Sequence, residues 1–364
     1  MSATTVTVEL GERSYRVEID WGGLGKTGAR VAAVVDSSRG VVVTDANVGP
    51  LHGRTVVASL REAGIDAHLV TVPPGESSKS LEQAGKLYDD LLSLGMERGS
   101  PVVALGGGVV GDLAGFVAAT FMRGVPLVMV PTSLLACVDS SVGGKVAVDL
   151  PRAKNIVGAF YQPRLVVIDP EVLRTLPTRE LAAGMAEVIK YGVIMDEEFF
   201  RYLEAKLPAA MKLTPDVLEH VIARCCRLKA DVVSKDETES GLRMMLNYGH
   251  TVAHAVETVT GYGRYLHGEA VAIGMQCAAM VAADLGMVPL ALVERQRKLL
   301  AAAGLPTGLG ELEPARLMEA MKRDKKVRHG RVRFVLPVRL GEVLVRDDVT
   351  DEVVSRVLEK CSRS

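Results

Sequence analysis

Short runs of β-branched and other apolar residues punctuate the first half of the chain: "VTVEL" (6–10), "YRVEI" (15–19), "GVVVTD" (40–45), "AHLVTV" (67–72), "PVVALG" (101–106), "PLVMVP" (126–131) and "LVVIDP" (165–170). Each predicts a β-strand. Between them the period lengthens. In "KSLEQAGKLYDDLLSLG" the apolar positions Leu81, Ala84, Leu87, Leu91 and Leu94 recur at helical spacing. Strands separated by helices predict a parallel sheet covered on both faces. From about Pro177 the pattern is helical throughout, in "TRELAAGMAEVIKYGVI", "PDVLEHVIARCCRLKADVVS", "NYGHTVAHAVETVTG", "GEAVAIGMQCAAMVAADLG" and "ALVERQRKLLAAAG", with Gly, Pro or charged turns between. The pattern predicts an α/β domain with a Rossmann-like parallel sheet over 1–176. An all-α domain follows over 177–364, with a cleft between the two as the default site.

Composition adds exclusions. The 364 residues suit about two domains, and 48% hydrophobic with 24% charged residues is a soluble globular balance. A formal net charge of −1 gives no overall basic field for nucleic acid or an anionic membrane, so anion binding must rest on local cation clusters. The N-terminus has no apolar signal core. The apolar stretch 102–130 is interrupted by Asp112 and Arg123, and that at 270–283 is too short to span a bilayer. Five cysteines with no C-x-x-C, two of them adjacent at Cys225 and Cys226, make neither a disulfide framework nor a zinc clip. The expected compartment is the reducing cytoplasm.

Three places carry candidate chemistry. "VVALGGGVVGDLAGF" runs from a strand through Gly106, Gly107 and Gly108 into a helix. Such a turn lets backbone approach a phosphate at a helix N-terminus. It is not the first βα turn, however, and no acidic strand end follows it; the acidic strand end, Asp45, lies upstream. A tight packing turn and a pyrophosphate cradle are the two readings.

Of seven histidines, three (His250, His254 and His267) lie between positions 250 and 267, the first two one helical turn apart. Glu187, among small and apolar residues in "GMAEVIKYG", must be neutralised if buried, either by Lys190 three residues on or by a metal. Two imidazoles and a carboxylate would give zinc three ligands and an open position. The H-x-x-x-H spacing lacks the glutamate of zinc proteases, since Thr251 follows His250. Cations and amides gather in the same regions: Arg123, Lys145, Lys154, Asn155, Lys190, Lys229, Arg243, Asn247, Lys325 and Lys326. Most read as solvated charges. "VGGK" and "KN" stand apart as Gly-flanked loops in apolar surroundings, suited to a substrate bearing phosphate and carboxylate.

In order along nearly the whole chain, "PGESSKS", "GGGVVGDLAGFVAATFMRG", "PTSLLACVDSSVGGK", "KNIVGAFYQP", "TLPTREL", "GMAEVIKYG", "DETESGLRMMLNYGHTVAHAVE", "HGEAVAIGM" and "DKKVRHG" resemble the bacterial 3-dehydroquinate synthase family. The resemblance implies a dehydroquinate synthase-like fold and a homodimer. It implies an NAD- and zinc-dependent lyase, with Co²⁺ able to substitute. The reaction would convert 3-deoxy-D-arabino-heptulosonate 7-phosphate to 3-dehydroquinate and phosphate by transient oxidation at C5, β-elimination, reduction and aldol closure.

By motif, Glu187, His250 and His267 would bind zinc, and His254 would line the site. NAD would lie across Gly106–Gly108 near Asp45 and Asn47. Glu76, Lys79, Asp112, Thr132, Ser133, Lys154 and Thr175 would complete its site, beside Asp139 and Lys145. The substrate would meet Asp139, Lys145, Asn155, Lys190, Lys229, Arg243, Asn247 and one of Lys325 and Lys326. Arg123 would reach the neighbouring subunit's site. Two positions depart from the family pattern, Ala253 for a glycine and Val146 for a threonine. The alternative activities are a related cyclitol synthase and a metal-dependent polyol dehydrogenase.

Overall fold

A computed structural model describes residues 3–261, 263–323 and 332–362. The strands of the first part are β1 (Thr4–Val8), β2 (Tyr15–Ile19), β3 (Arg39–Asp45), β4 (Asp66–Val72), β5 (Val102–Gly106), β6 (Leu127–Pro131), β7 (Lys145–Leu150), β8 (Ala153–Phe160) and β9 (Leu165–Ile168). Its helices are α1 (Thr27–Ala32), α2 (Arg54–Glu62), α3 (Leu81–Ser93) and α4 (Gly108–Thr120). Then follow α5 (Thr178–Met195), α6 (Glu197–Met211), α7 (Pro215–Lys235), α8 (His250–Val259), α9 (His267–Asp284), α10 (Leu290–Ala302) and α11 (Pro314–Lys322). A hairpin of β10 (Phe334–Arg339) and β11 (Glu342–Arg346) precedes the final helix, α12 (Asp351–Ser362). Two compact units result, one of residues 1–176 and 215–238, the other of 177–214 and 239–364.

The first unit is built on a seven-stranded sheet in the order β1-β2-β9-β6-β5-β3-β4. All neighbours pair in parallel except β1 and β2. The link from Glu9 to Ser14 is too short for the crossover of a dozen or more residues that a parallel pair requires, so β2 folds back antiparallel. The central strands β5, β6 and β9 are buried at every position, as expected where both faces are covered. Leu60, Val103, Leu105, Val128, Val130 and Leu165 belong to one core cluster between sheet and helices. The chain runs from β3 out to β4, then returns to β5 on the other side of β3. At such a reversal, the carboxyl edge of an open parallel sheet is the ligand-binding edge. Asp45 and Gly106 are the last residues of β3 and β5, and the Thr132–Ser133 pair follows β6, all at that edge.

"VGGK" is the expected loop as far as Gly144, with Lys145 opening the antiparallel hairpin β7–β8, whereas "KN", expected as a loop, lies in β8 just after the hairpin turn. Lys145 faces outward, whereas Val146 is buried against Gly115 of α4, where an added Cβ would lie 2.3 Å from its Cγ1. The valine at this position is therefore a packing residue.

The second unit is mainly helical, yet it holds one sheet element the periodicity did not reveal. β10 and β11 pair around Gly341, whose φ of +82° favours glycine, and whose N–H bonds to the Val193 carbonyl of α5. Among the described residues no helix is long and apolar enough to cross a membrane.

Candidate active site

In the first unit, α4 begins immediately after the glycine turn, with Gly107 as its N-cap and no side chain capping its free N–H groups. A Cβ at Gly107 would meet only Ser133, at 3.5 Å, so the turn is bare backbone beside a hydroxyl. That donor-rich, side-chain-free helix start fits a pyrophosphate. Gly106 has a packing role in addition, because an added Cβ would lie 2.6 Å from that of Val110. At the end of β3, Asp45 Oδ1 accepts the N–H groups of Asn47 (2.8 Å) and Val48 (2.9 Å), which fixes the carboxylate at the sheet edge. Both readings of the glycine turn thus have support.

Lys79 is nearly fully buried and donates to Asp112 Oδ2 (2.5 Å) and to the side-chain oxygen of Asn155. Burial works against its charge, but the carboxylates of Asp112, Glu76 and Asp149 outweigh this and raise its pKa. It is a permanent cation. Lys154 pairs with Glu76 at 2.9 Å. Asn155 has φ +55°, a conformation held by its N–H bond to Asp149 (2.8 Å). Lys229, on α7, donates to both the backbone oxygen (2.5 Å) and Oδ1 (2.6 Å) of Asp139. Thr175 donates to the Val172 carbonyl (2.7 Å) and lies 3.0 Å from His52 Nε2. Arg123 is exposed in a turn where Met122, Arg123 and Gly124 all have positive φ.

The metal candidates all lie in the second unit. α8 starts at His250 because Gly249 adopts φ +81°, where a Cβ would also sit 2.7 Å from the Met275 nitrogen. α9 starts at His267, and its next residue, Gly268, lies so close to α5 that a Cβ would be 1.9 Å from the Ala183 oxygen. Glycine therefore sets the approach of the helix bearing His267 to the helix bearing Glu187.

The resulting ligand atoms of Glu187, His250 and His267 lie within 4.8 Å of one another. His254, one turn along α8, stands edge-on to His250 with ring centroids 5.8 Å apart and is outside that group. Glu187 is 1% exposed, and its Oε1 has no hydrogen-bond donor against it. Lys190 forms an ion pair with Oε2. Oε1 faces the Nε2 atoms of His250 and His267, each at 3.7 Å. His250 Nδ1 donates to the Tyr248 carbonyl (3.2 Å) and His267 Nδ1 to Glu257 Oε1 (3.0 Å). In its neutral form each ring then turns an Nε2 lone pair toward Oε1. Burial opposes charge on His267, but the carboxylates of Glu257 and Glu187 outweigh it and raise its pKa, so a proton takes the place that a metal would fill. Three converging lone pairs repel unless a cation joins them. Their spacing approaches the roughly 3.4 Å between ligands that are each 2.0–2.1 Å from one tetrahedral zinc ion. The residues fit a divalent metal, and Lys190 and the metal position share Glu187 rather than compete for it.

Arg243 and Asn247 sit on the short helical turn Leu242–Asn247 leading to α8. Arg243 is 2% exposed, and Asn247 Nδ2 donates to Glu239 Oε1 (2.6 Å). Lys325 and Lys326 lie outside the described residues. Glu257, Glu239 and His52 were not singled out from sequence. Each is a lone polar residue whose partner is distant in the chain or set by a turn.

A glycine turn at the reversal point of a parallel sheet, joined in one chain to a two-histidine, one-carboxylate helical site, is the equipment of an NAD- and metal-dependent enzyme. Similarity narrows the class. A structure of 2-epi-5-epi-valiolone synthase from Streptomyces hygroscopicus, with NAD⁺ and Zn²⁺ bound, is 29% identical with a TM-score of 0.89, covering 97% of this chain and 98% of that one. A 2-deoxy-scyllo-inosose synthase complexed with carbaglucose-6-phosphate, NAD⁺ and Co²⁺ is 26% identical with a TM-score of 0.89, covering 98% of this chain and 100% of that one.

The class is that of the sugar-phosphate cyclases. Family models described as 3-dehydroquinate synthase N-terminal and C-terminal match residues 69–183 and 184–327. The 3-dehydroquinate synthase of Symbiobacterium thermophilum is 52% identical over 359 residues, 98% of this chain and 100% of that protein. The chain belongs to the 3-dehydroquinate synthase family. Its activity is the family's phosphate-eliminating lyase reaction, from 3-deoxy-D-arabino-heptulosonate 7-phosphate to 3-dehydroquinate.

Proposed function

We propose that the residues described above divide this reaction between cofactor, metal and substrate. Glu187, His250 and His267 hold the zinc ion. Gly106–Gly108, Asp45, Asn47, Glu76, Lys79, Asp112, Thr132, Ser133, Lys154 and Thr175 form the NAD site, with Asp139 and Lys145 beside it. When bound, NAD supplies a reversible hydride acceptor for C5, and the metal supplies a Lewis acid for the neighbouring hydroxyls. The observation that carries the assignment is the buried Glu187 carboxylate, paired with Lys190 through Oε2 and facing the Nε2 atoms of His250 and His267 through Oε1.

Lys145, Asn155, Asn247, His254 and a lysine of the 325–326 pair hold the phosphate. Lys229 and Arg243 hold the carboxylate. Anchoring both ends orients the sugar before reaction, an advantage of up to several kcal/mol. Asp139, Lys190 and His254 move protons at the hydroxyls. The leaving phosphate takes the C6 proton itself, which explains why no dedicated strong base is needed there. The protein acts as a homodimer in the reducing cytoplasm, each Arg123 serving the other subunit's site.

The test is incubation with the heptulosonate phosphate, Zn²⁺ and NAD⁺ at substoichiometric concentration. Phosphate should be released over many turnovers without net NADH. No release, or a stoichiometric demand for NAD⁺, refutes the reading. Turnover of sedoheptulose 7-phosphate in its place would mark a cyclitol synthase, and NADH accumulation with glycerol a polyol dehydrogenase.

A further inference from the structure

His250 and His267 are held in different ways. The Nδ1 of His250 donates to a main-chain oxygen, that of Tyr248, which no substitution removes. The Nδ1 of His267 donates to a side chain, Glu257 Oε1, at 3.0 Å. Glu257 lies on α8 seven residues after His250, so the two share one face of that helix. Its side chain is only 14% exposed. One helix therefore carries a metal-facing imidazole and, two turns on, the carboxylate that grips an imidazole of α9.

We propose that Glu257 is a positioning residue for the metal site, holding His267 in the tautomer and ring orientation that present Nε2 to the ion. This rests on Glu187, His250 and His267 being the ligands. A carboxylate partner on the remote ring nitrogen strengthens an imidazole as a ligand and removes its freedom to rotate. Charge supports the role. Glu187 and Glu257 bring two negative charges, and Lys190 returns one positive charge directly onto Glu187. Without Glu257 the cation would face a single carboxylate already shared with an ammonium. Removing Glu257 also leaves a part-buried N–H without this acceptor, at a site where a free ring can turn its Nε2 away.

The experiment is a Co²⁺ titration of the metal-stripped full chain followed by d–d absorption, with Zn²⁺ affinity taken from competition with a chromogenic chelator. Glu257→Ala should weaken both metals by roughly 10- to 100-fold and alter the Co²⁺ spectrum. Glu257→Gln, which keeps the shape and one acceptor but loses the charge, should weaken them less and restore the spectrum in part. It also keeps the test open if the alanine variant fails to fold. His250→Ala, run alongside, should lose the metal. If it does, and both Glu257 variants bind with parent affinity and spectrum, the positioning role is wrong while the ligand set stands. If His250→Ala keeps the metal, the ligand set is wrong and the inference falls with it.

Discussion

His250 and His254 occupy one face of α8, yet their surroundings differ. Of the two, it is His250 whose Nε2 faces Glu187, its other nitrogen being committed to the Tyr248 carbonyl. His250→Ala should abolish metal binding, a larger loss than the 10- to 100-fold expected of a group behind the ligands. His254→Ala should retain the metal and lose turnover by about 10²-fold or more, the range of a lost proton-transfer group. Metal analysis of the two purified variants checks this, and equal metal loss in both contradicts it. Spacing alone cannot separate these residues, because i and i+4 are equivalent on a helix. The neighbour that separates them, Glu187, comes from another element.

At the scale of elements, glycine and charge fix how α9 sits. Gly268 allows α9 to approach the Ala183 carbonyl, and Gly274 allows it to approach that of Gly249, where a Cβ would fall at 2.0 Å. Gly268→Ala must push α9 and α5 apart, at a cost of roughly 1–3 kcal/mol or more, and carries His267 away from Glu187. Calorimetry should show a lower Tm, and metal titration a weaker site; a variant with unchanged metal affinity would show that α9 does not set the ligand spacing.

The other end of α9 is tied to α12, where Asp284 accepts from Arg356 (2.6 Å) and Lys360 (2.8 Å). These two bonds hold the Asp284 carboxyl down to about 2. A depressed acid contributes stability that is complete above its unfolded value, near 3.9, and is lost as pH falls through 4 toward 2. Both partners are about half exposed, so the contribution is at most about 1 kcal/mol. Asp284→Asn should lower Tm by about 2 °C at neutral pH and by much less near pH 2, where the carboxyl is about half protonated, measured as paired melts. A constant difference across that range would exclude the ion pairs as its cause.

Across the whole molecule, the proposed homodimer makes a prediction neither residue nor element can. If Arg123 serves the partner's site, then Arg123→Ala and His250→Ala, each inactive alone, should regain activity when unfolded and refolded together. A mixed dimer has one intact site, so random pairing restores about a quarter of the parent activity. No recovery would place Arg123 in its own subunit's site.

Much of this architecture was legible in the chain. The seven sheet strands announce themselves because buried strands must be apolar and short, and the helices because they repeat every 3.6 residues. The hairpins β7–β8 and β10–β11 were not legible. "KVAVDL" and "AKNIVGAF" carry charges that suit a partly exposed ribbon, and "FVLPVR" includes a proline. Local pattern reports burial, and these strands owe their existence to pairing.

The same division holds for the site. Residue identity alone specified the available chemistry: imidazoles, a carboxylate in apolar surroundings, lysines and a glycine turn. Tertiary structure decided which of them meet. It set Glu187 between Lys190 and two imidazoles, put Glu257 behind His267, and paired Lys79 with Asp112. A lone pair's direction and a carboxylate's partner are properties of distance between elements, and sequence encodes that distance only through the packing of the whole chain.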